Sequence, residues 1–368
     1  MRRLPLELAW PAGDAPLRAA SDAWGLLPEE LAERGIASGA ATFTALARPW
    51  RWVAGRPDLS PRLLAALDAI GTELPSIERT ERSEDGSVKV LLRTGPDLVE
   101  AVHMPRQVAA GDRVTLCISS QVGCAMGCSF CATASMGFIR QLSAGEIVGQ
   151  VLAVLHALGP RHPGDLTLVF MGMGEPLHNL DQVARAVRVL CNPLGLGLSP
   201  RRITVSTSGL VPQIAELGAL SVRPLLAISL NATTDEQRRE LMPINRRYPL
   251  AELRAGLERF PLRARERITV EYVLLAGVND ALVDAERLAA FTSSFAHHIN
   301  LIPFNAHAHA PYRAPAEAHV DRFARALAEQ RAGLVTIRHS RGRDVQGACG
   351  QLVRAYARSG RHGGQHAS

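Results

Sequence analysis

Cys117-Ile118-Ser119-Ser120-Gln121-Val122-Gly123-Cys124-Ala125-Met126-Gly127-Cys128-Ser129-Phe130-Cys131, running on through Ala132 to Arg140, is the stretch on which the fold turns. Cys124, Cys128 and Cys131 are separated by three and then two residues. A loop of that length can turn three thiolates toward one point. Four protein ligands close a structural zinc site or an ordinary iron–sulfur cluster, and three leave one place open. No fourth cysteine or histidine follows nearby. The spacing predicts a [4Fe–4S] cluster with one iron open to a substrate. The bland alternatives are three buried structural cysteines or a zinc knuckle completed from a distance. A glycine-containing loop directly after a strand speaks against both.

That strand begins a rhythm. Runs predicted as strands are 114–118, 166–170, 203–206, 225–230, 268–274, 299–302 and 335–338. Helical patterns lie between them at 143–158, 181–190, 211–217, 250–260, 282–295 and 320–330. The first helix opens with Ser143-Ala144-Gly145-Glu146, a capping box. Alternating strands and helices imply parallel βαβ units. About six units make a partial (β/α)6-type barrel, whose active face lies at the C-terminal strand ends. The cysteine loop follows the first strand and so belongs to that face.

Upstream, residues 1–75 read as a small helical domain, with segments such as 28–34 and 61–70 between Gly and Pro breaks. Trp24, Trp50 and Trp52 lie there, either as a stacking surface for nucleotides or as core. Residues 76–109 read as a β-hairpin extension, with alternating runs 87–93 and 98–104 around Gly95-Pro96-Asp97. The barrel is expected over 110–345. A C-terminal segment, 346–368, ends in a polar, glycine-rich tail that reads as disordered.

Composition narrows the class. The chain has 368 residues, 47% of them hydrophobic, enough for a sizeable core. No run of about 18 apolar residues offers a membrane span. The start, Met1-Arg2-Arg3-Leu4-Pro5, lacks a signal peptide's apolar centre. Six cysteines, three of them clustered, suit a reducing cytoplasm. Net charge is +6, which is compatible with a polyanionic partner.

Other motifs fall on the same rim. Met171-Gly172-Met173-Gly174-Glu175-Pro176 follows the second strand, where glycines permit close approach of a ligand and Glu175 can accept from an ammonium group. Ser206-Thr207-Ser208-Gly209 ends the third strand, Ser229-Leu230-Asn231 the fourth, and Asn305 follows the sixth. Such residues suit ribose or carboxylate. Two further thiols can reach the barrel mouth: Cys117, at the end of the first strand, and Cys349, in Gly347-Ala348-Cys349-Gly350-Gln351. Either could serve as a nucleophile. Cys191 reads as a helix-end residue without chemistry.

The cysteine spacing resembles the signature of the radical S-adenosylmethionine (SAM) enzymes. The wider set resembles the RlmN/Cfr-type radical SAM RNA methyltransferases. It comprises Cys117 to Cys124, Gly172 to Pro176, Ser206 to Gly209, Met242-Pro243-Ile244-Asn245, Glu271-Tyr272-Val273, Val278-Asn279-Asp280, Asn300-Leu301-Ile302-Pro303 and Ala348 to Leu352. The resemblance implies a [4Fe–4S] cluster on Cys124, Cys128 and Cys131. It implies SAM contacts at Gly174, Glu175, Ser206, Ser229, Leu230, Asn231 and Asn305. It also implies two SAM per turnover. One methylates Cys349. The other yields a radical that activates the S-methyl group for attack on an adenine carbon. Glu100 matches the position of the base, and Cys117 that of the thiol that releases product and leaves a disulfide.

Carbon 2 of adenosine in large-subunit ribosomal RNA is the expected target, with tRNA a second candidate. Methylation at carbon 8, or of another RNA, is the nearest rival, and a non-catalytic metal- or RNA-binding protein the second. An electron donor such as flavodoxin or ferredoxin and a monomeric, cytoplasmic enzyme complete the expectation. Asn231 stands where a histidine is often found. The helix start expected to be basic in the N-terminal domain reads instead Gly35-Ile36-Ala37-Ser38-Gly39.

Overall fold

The computed structural model describes residues 23–36, 39–48, 59–71, 74–108, 111–158, 165–330, 332–339, 341–342, 344–348 and 350–352. Helices α1 (Pro28–Glu33), α2 (Gly39–Leu46) and α3 (Pro61–Asp68) come first. Trp24 is buried beside them, so the core reading holds for it. Trp50 and Trp52 lie outside the described residues.

Strands β1 (Ser76–Arg82), β2 (Val88–Thr94) and β3 (Asp97–Val108) then form an antiparallel meander with β4 (Gly111–Cys117). The expected hairpin is β2–β3, turning between Thr94 and Asp97. Sequence reading missed β1, because Ser-Ile-Glu-Arg-Thr-Glu-Arg has one apolar residue. Charged side chains are what a sheet edge carries, and β1 is the edge.

From β4 the sheet continues in parallel through β7 (Leu166–Phe170), β8 (Ile203–Thr207), β9 (Leu225–Ser229), β10 (Ile268–Leu274), β11 (His297–Pro303) and β12 (Leu334–Ile337). All seven expected barrel strands are present. Only β5 (Gln121–Gly123) and β6 (Phe138–Gln141) stand apart, as a two-stranded sheet. The large sheet has ten strands in chain order and does not close on itself, so the barrel is partial. The crossovers are α4 (Ala144–Ala157), α5 (Leu180–Cys191), α6 (Val211–Ala219), α7 (Asp235–Leu241) with α8 (Leu250–Glu258), α9 (Leu282–Thr292) and α10 (Glu317–Glu329). The predicted capping box on α4 is formed: Glu146 N–H donates to Ser143 Oγ at 3.0 Å, and Ser143 N–H to Glu146 Oε2 at 2.7 Å.

Alternation along the strands sorts the residues into two faces. Registers place Leu168, Phe170, Val205, Ile228, Val270 and Tyr272 on one face, buried under the helices. Tyr272 stacks on Phe323 of α10 at 5.8 Å. Cys117, Val169, Thr204, Ser206, Ser229 and Glu271 share the other, inner face. The apolar core is thus the layer between sheet and helices, and the barrel interior is polar.

Candidate active site

The cysteine loop is strung between β5 and β6 and pinned at several points. Cys124 N–H donates to Gly137 O at 2.9 Å, and Cys131 N–H to Cys128 O at 3.1 Å. Gly123 has φ +74°, and a Cβ there would meet Gly137 O at 1.9 Å, so only glycine fits. Arg140 fastens the far end of the hairpin. It donates to Asp97 Oδ2 at 2.6 Å and to both Glu146 oxygens at 2.9 Å. Ser129 N–H reaches Leu241 O at 3.0 Å, and its hydroxyl meets Tyr312 OH at 2.8 Å.

The loop roofs a cavity at the C-terminal strand ends. Its wall includes Cys124, Cys128 and Cys131, then Gly174, Glu175, Ser206, Ser229, Asn231, Glu271, Asn305, Gly350 and Leu352. Burial pushes the Cys124 and Cys128 thiols well up, and nearby negative groups push the same way. Among the described residues, no three His, Cys, Asp or Glu side chains converge as a group to hold a metal ion. A cubane takes one thiolate per iron, so its ligands need not meet at one point.

Glu175 is 3% exposed, and its carboxylate is oriented by three donors. Ser208 N–H and Oγ each approach Oε2 at 2.7 Å, and Leu177 N–H approaches Oε1 at 3.0 Å. Burial pushes this carboxyl up, while those donors favour its charged form. Gly174, at φ +102°, packs so closely that a Cβ would lie 2.5 Å from Gln121 Cβ. On the inner face, Ser206 Oγ donates to Glu271 Oε2 at 3.0 Å and lies 3.5 Å from Ser229 Oγ. Arg338 faces the other Glu271 oxygen at 3.5 Å.

The remaining expected residues are placed less simply. Asn231 lines the cavity at φ +56°, which asparagine tolerates. Its amide oxygen already accepts from Val273 N–H at 2.9 Å. Leu230 does not line the cavity; its side chain is buried, and its N–H donates to Glu271 O at 3.0 Å. Glu100 and Cys117 are buried and do not line the cavity. Cys117 stands opposite Val102, two residues from Glu100 on the same face of the sheet. No disulfide forms among the described residues. Cys349 lies outside the described residues, but its flanks do not. Gly350 O accepts from Ala132 N–H at 2.7 Å, and Leu352 O from Thr133 Oγ1 at 3.2 Å.

The family model of the radical SAM superfamily matches residues 118–289. A Syntrophotalea carbinolica protein named dual-specificity RNA methyltransferase RlmN is 50% identical over 277 residues, covering 75% of this chain and 72% of its own. The protein of that name from an Anaeromyxobacter species is 50% identical over 304 residues, covering 80% and 78%. The chain belongs to the RlmN family of radical SAM methyltransferases. A radical SAM methyltransferase from Sphaerobacter thermophilus has the same fold, with a TM-score of 0.80 at 38% identity over 90% of this chain and 98% of its own. Among the described residues, no helix is long and apolar enough to cross a membrane.

Within this member of the RlmN family, one residue escaped the sequence reading. Arg238, on α7, is fully buried. It donates to Leu230 O at 3.1 Å, to Ser208 O at 2.6 Å and to Asn245 Oδ1 at 3.1 Å. It therefore ties the ends of β8 and β9, where Ser206, Ser208, Ser229 and Asn231 sit. Burial draws its guanidinium down to about 10. The helix Asp-Glu-Gln-Arg-Arg-Glu-Leu has no apolar stripe to announce it. Arg238→Met is expected to destabilise the protein by about 3–5 kcal/mol, since buried acceptors lose a charged donor. Urea denaturation checks this, and an unchanged midpoint would show the network to be dispensable.

Proposed function

We propose that the enzyme methylates a ring carbon of adenine in RNA, carbon 2 first of all, through an S-methylcysteine at Cys349 and with two SAM per turnover. The observation that carries this reading is the pairing of two segments. The flanks of Cys349 are hydrogen-bonded to the cysteine loop, and Gly350 and Leu352 share a cavity wall with Cys124, Cys128 and Cys131. In this reading the thiol between those flanks passes a methyl group to a substrate at the cavity mouth. The names of the relatives support RNA as that substrate.

The donor set fits a cluster, since three thiols of one loop line one cavity. Cys124, Cys128 and Cys131 would hold it, and when bound it supplies the electron that cleaves SAM. Gly174 gives close backbone approach, and Glu175, already oriented, accepts from the SAM ammonium. Ser206, Ser229, Asn231 and Asn305 line the side that suits ribose and carboxylate, and Leu230 contributes main chain only. Glu100 accepts the ring proton. Cys117 attacks Cys349 to release the methylated base, leaving a transient disulfide. Direct methyl displacement from SAM is closed to this carbon, because an amidine carbon is electrophilic. Residues 1–75 are assigned to RNA recognition, and a small redox protein such as flavodoxin or ferredoxin to electron supply. A monomeric, cytoplasmic enzyme completes the proposal.

Nucleoside mass spectrometry on RNA incubated with anaerobically reconstituted enzyme, SAM and a reductant tests the reading. The expected product is 2-methyladenosine. 8-Methyladenosine would move the target to the rival carbon. SAM consumption with no methylated nucleoside from ribosomal RNA or tRNA would overturn the assignment.

A further inference from the structure

Lys89 is the only lysine among 41 Lys and Arg residues. It is also buried, its side chain 7% exposed. Its Nζ lies 3.0 Å from Glu81 Oε2 and 3.8 Å from Glu100 Oε1. The register explains both contacts. Glu81 stands directly opposite Lys89 across β1 and β2. Glu100 pairs with Leu91, which sets it diagonal to Lys89 on one face. Val102 stands opposite Lys89 on one side and Cys117 on the other, so Glu81, Lys89, Val102 and Cys117 form a row across four strands. The segment that carries Cys349 packs on this row: a Cβ added to Gly347 would lie 3.6 Å from Lys89 Cβ.

We propose that Lys89 is the positioning residue for Glu100, holding its carboxylate ionised and aimed for the ring proton. The inference rests on the reading of Glu100 as the base. Burial alone favours the neutral acid, which cannot accept a proton, and an adjacent cation restores the charged form. Two carboxylates face the ammonium, and Glu81 also pairs with Arg79 at 3.0 Å. When Glu100 takes the proton and becomes neutral, Glu81 remains to pair with Lys89, so no buried cation is stranded. A compact ammonium with three donors can serve both carboxylates.

Single-turnover assays on the reconstituted full-length enzyme test this, with RNA carrying hydrogen or deuterium on the target carbon. In Lys89→Met, Cys349 methylation and 5′-deoxyadenosine formation are expected at wild-type levels. Covalent RNA–enzyme adduct should accumulate, and its resolution should slow about a hundredfold, the lower range of what a positioned base contributes. The deuterium effect on resolution should rise, because proton removal becomes limiting. Lys89→Gln is the second variant, should the methionine protein fail to load its cluster. If either variant loads its cluster and resolves adduct normally while Glu100→Gln stalls, the role of Lys89 is overturned and the base stands. If Glu100→Gln itself turns over normally, the base reading falls and this inference with it. Equal loss of every step in both lysine variants would make Lys89 structural only.

Discussion

Alanine at Cys128 is expected to reduce reconstituted iron from about four atoms per chain to near zero. Product formation should fall to background with it. The argument begins with the thiols. Burial holds Cys128 and Cys124 protonated in the metal-free chain, so their deprotonation must be driven by metal binding. In the proposed site each thiolate would hold one iron, and the loop has no spare cysteine to replace a lost one. Secondary structure should persist, because the loop hangs between β5 and β6, outside the ten-stranded sheet. Iron and sulfide analysis after anaerobic reconstitution reads the first outcome, and circular dichroism reads the second. A variant that keeps four irons, or a wild-type protein that takes up a single zinc instead, would end the cluster assignment.

The fold was legible wherever apolar periodicity carried it. Seven parallel strands and the α4 capping box were read correctly because each buried a run of Val, Leu and Ile or used a capping pair. Two elements were hidden for the same physical reason. β1 and α7 are polar throughout, and each is held by its neighbours rather than by its own pattern. At the site, the cysteine loop and the Gly-Glu turn announced themselves by spacing. Arg238 did not, since its importance lies in burial and in partners distant along the chain. Lys89 was visible in composition as a lone lysine, but only the strand register connects it to Glu81 and Glu100. Leu230 shows the reverse case: its position on the rim was read correctly, and its side chain turns away from the cavity into the core.

Cys117→Ala and Cys349→Ala are expected to fail at different steps, and the difference is large enough to read on a gel. Cys349→Ala removes the methyl acceptor, so neither S-methyl protein nor RNA adduct should form. Cys117→Ala keeps the acceptor and removes only the thiol that releases product. It should trap enzyme joined to RNA, as a band of raised mass that nuclease collapses. Position supports the division. The flanks of Cys349 are tied to Ala132 and Thr133 beside the cysteine loop, where a methyl group would be received. Cys117 sits at the end of β4, in the row that runs through Lys89, and Gly347 of the segment that bears Cys349 packs against Lys89. Cys117 is 5% exposed, so it is shielded from solvent. If both thiols merely filled the core, either alanine would cost about 1–2 kcal/mol of stability and yield no covalent species. A folded, cluster-loaded Cys117→Ala enzyme that turns over normally would refute the resolving role. An adduct that forms equally well in Cys349→Ala would place the methyl carrier elsewhere.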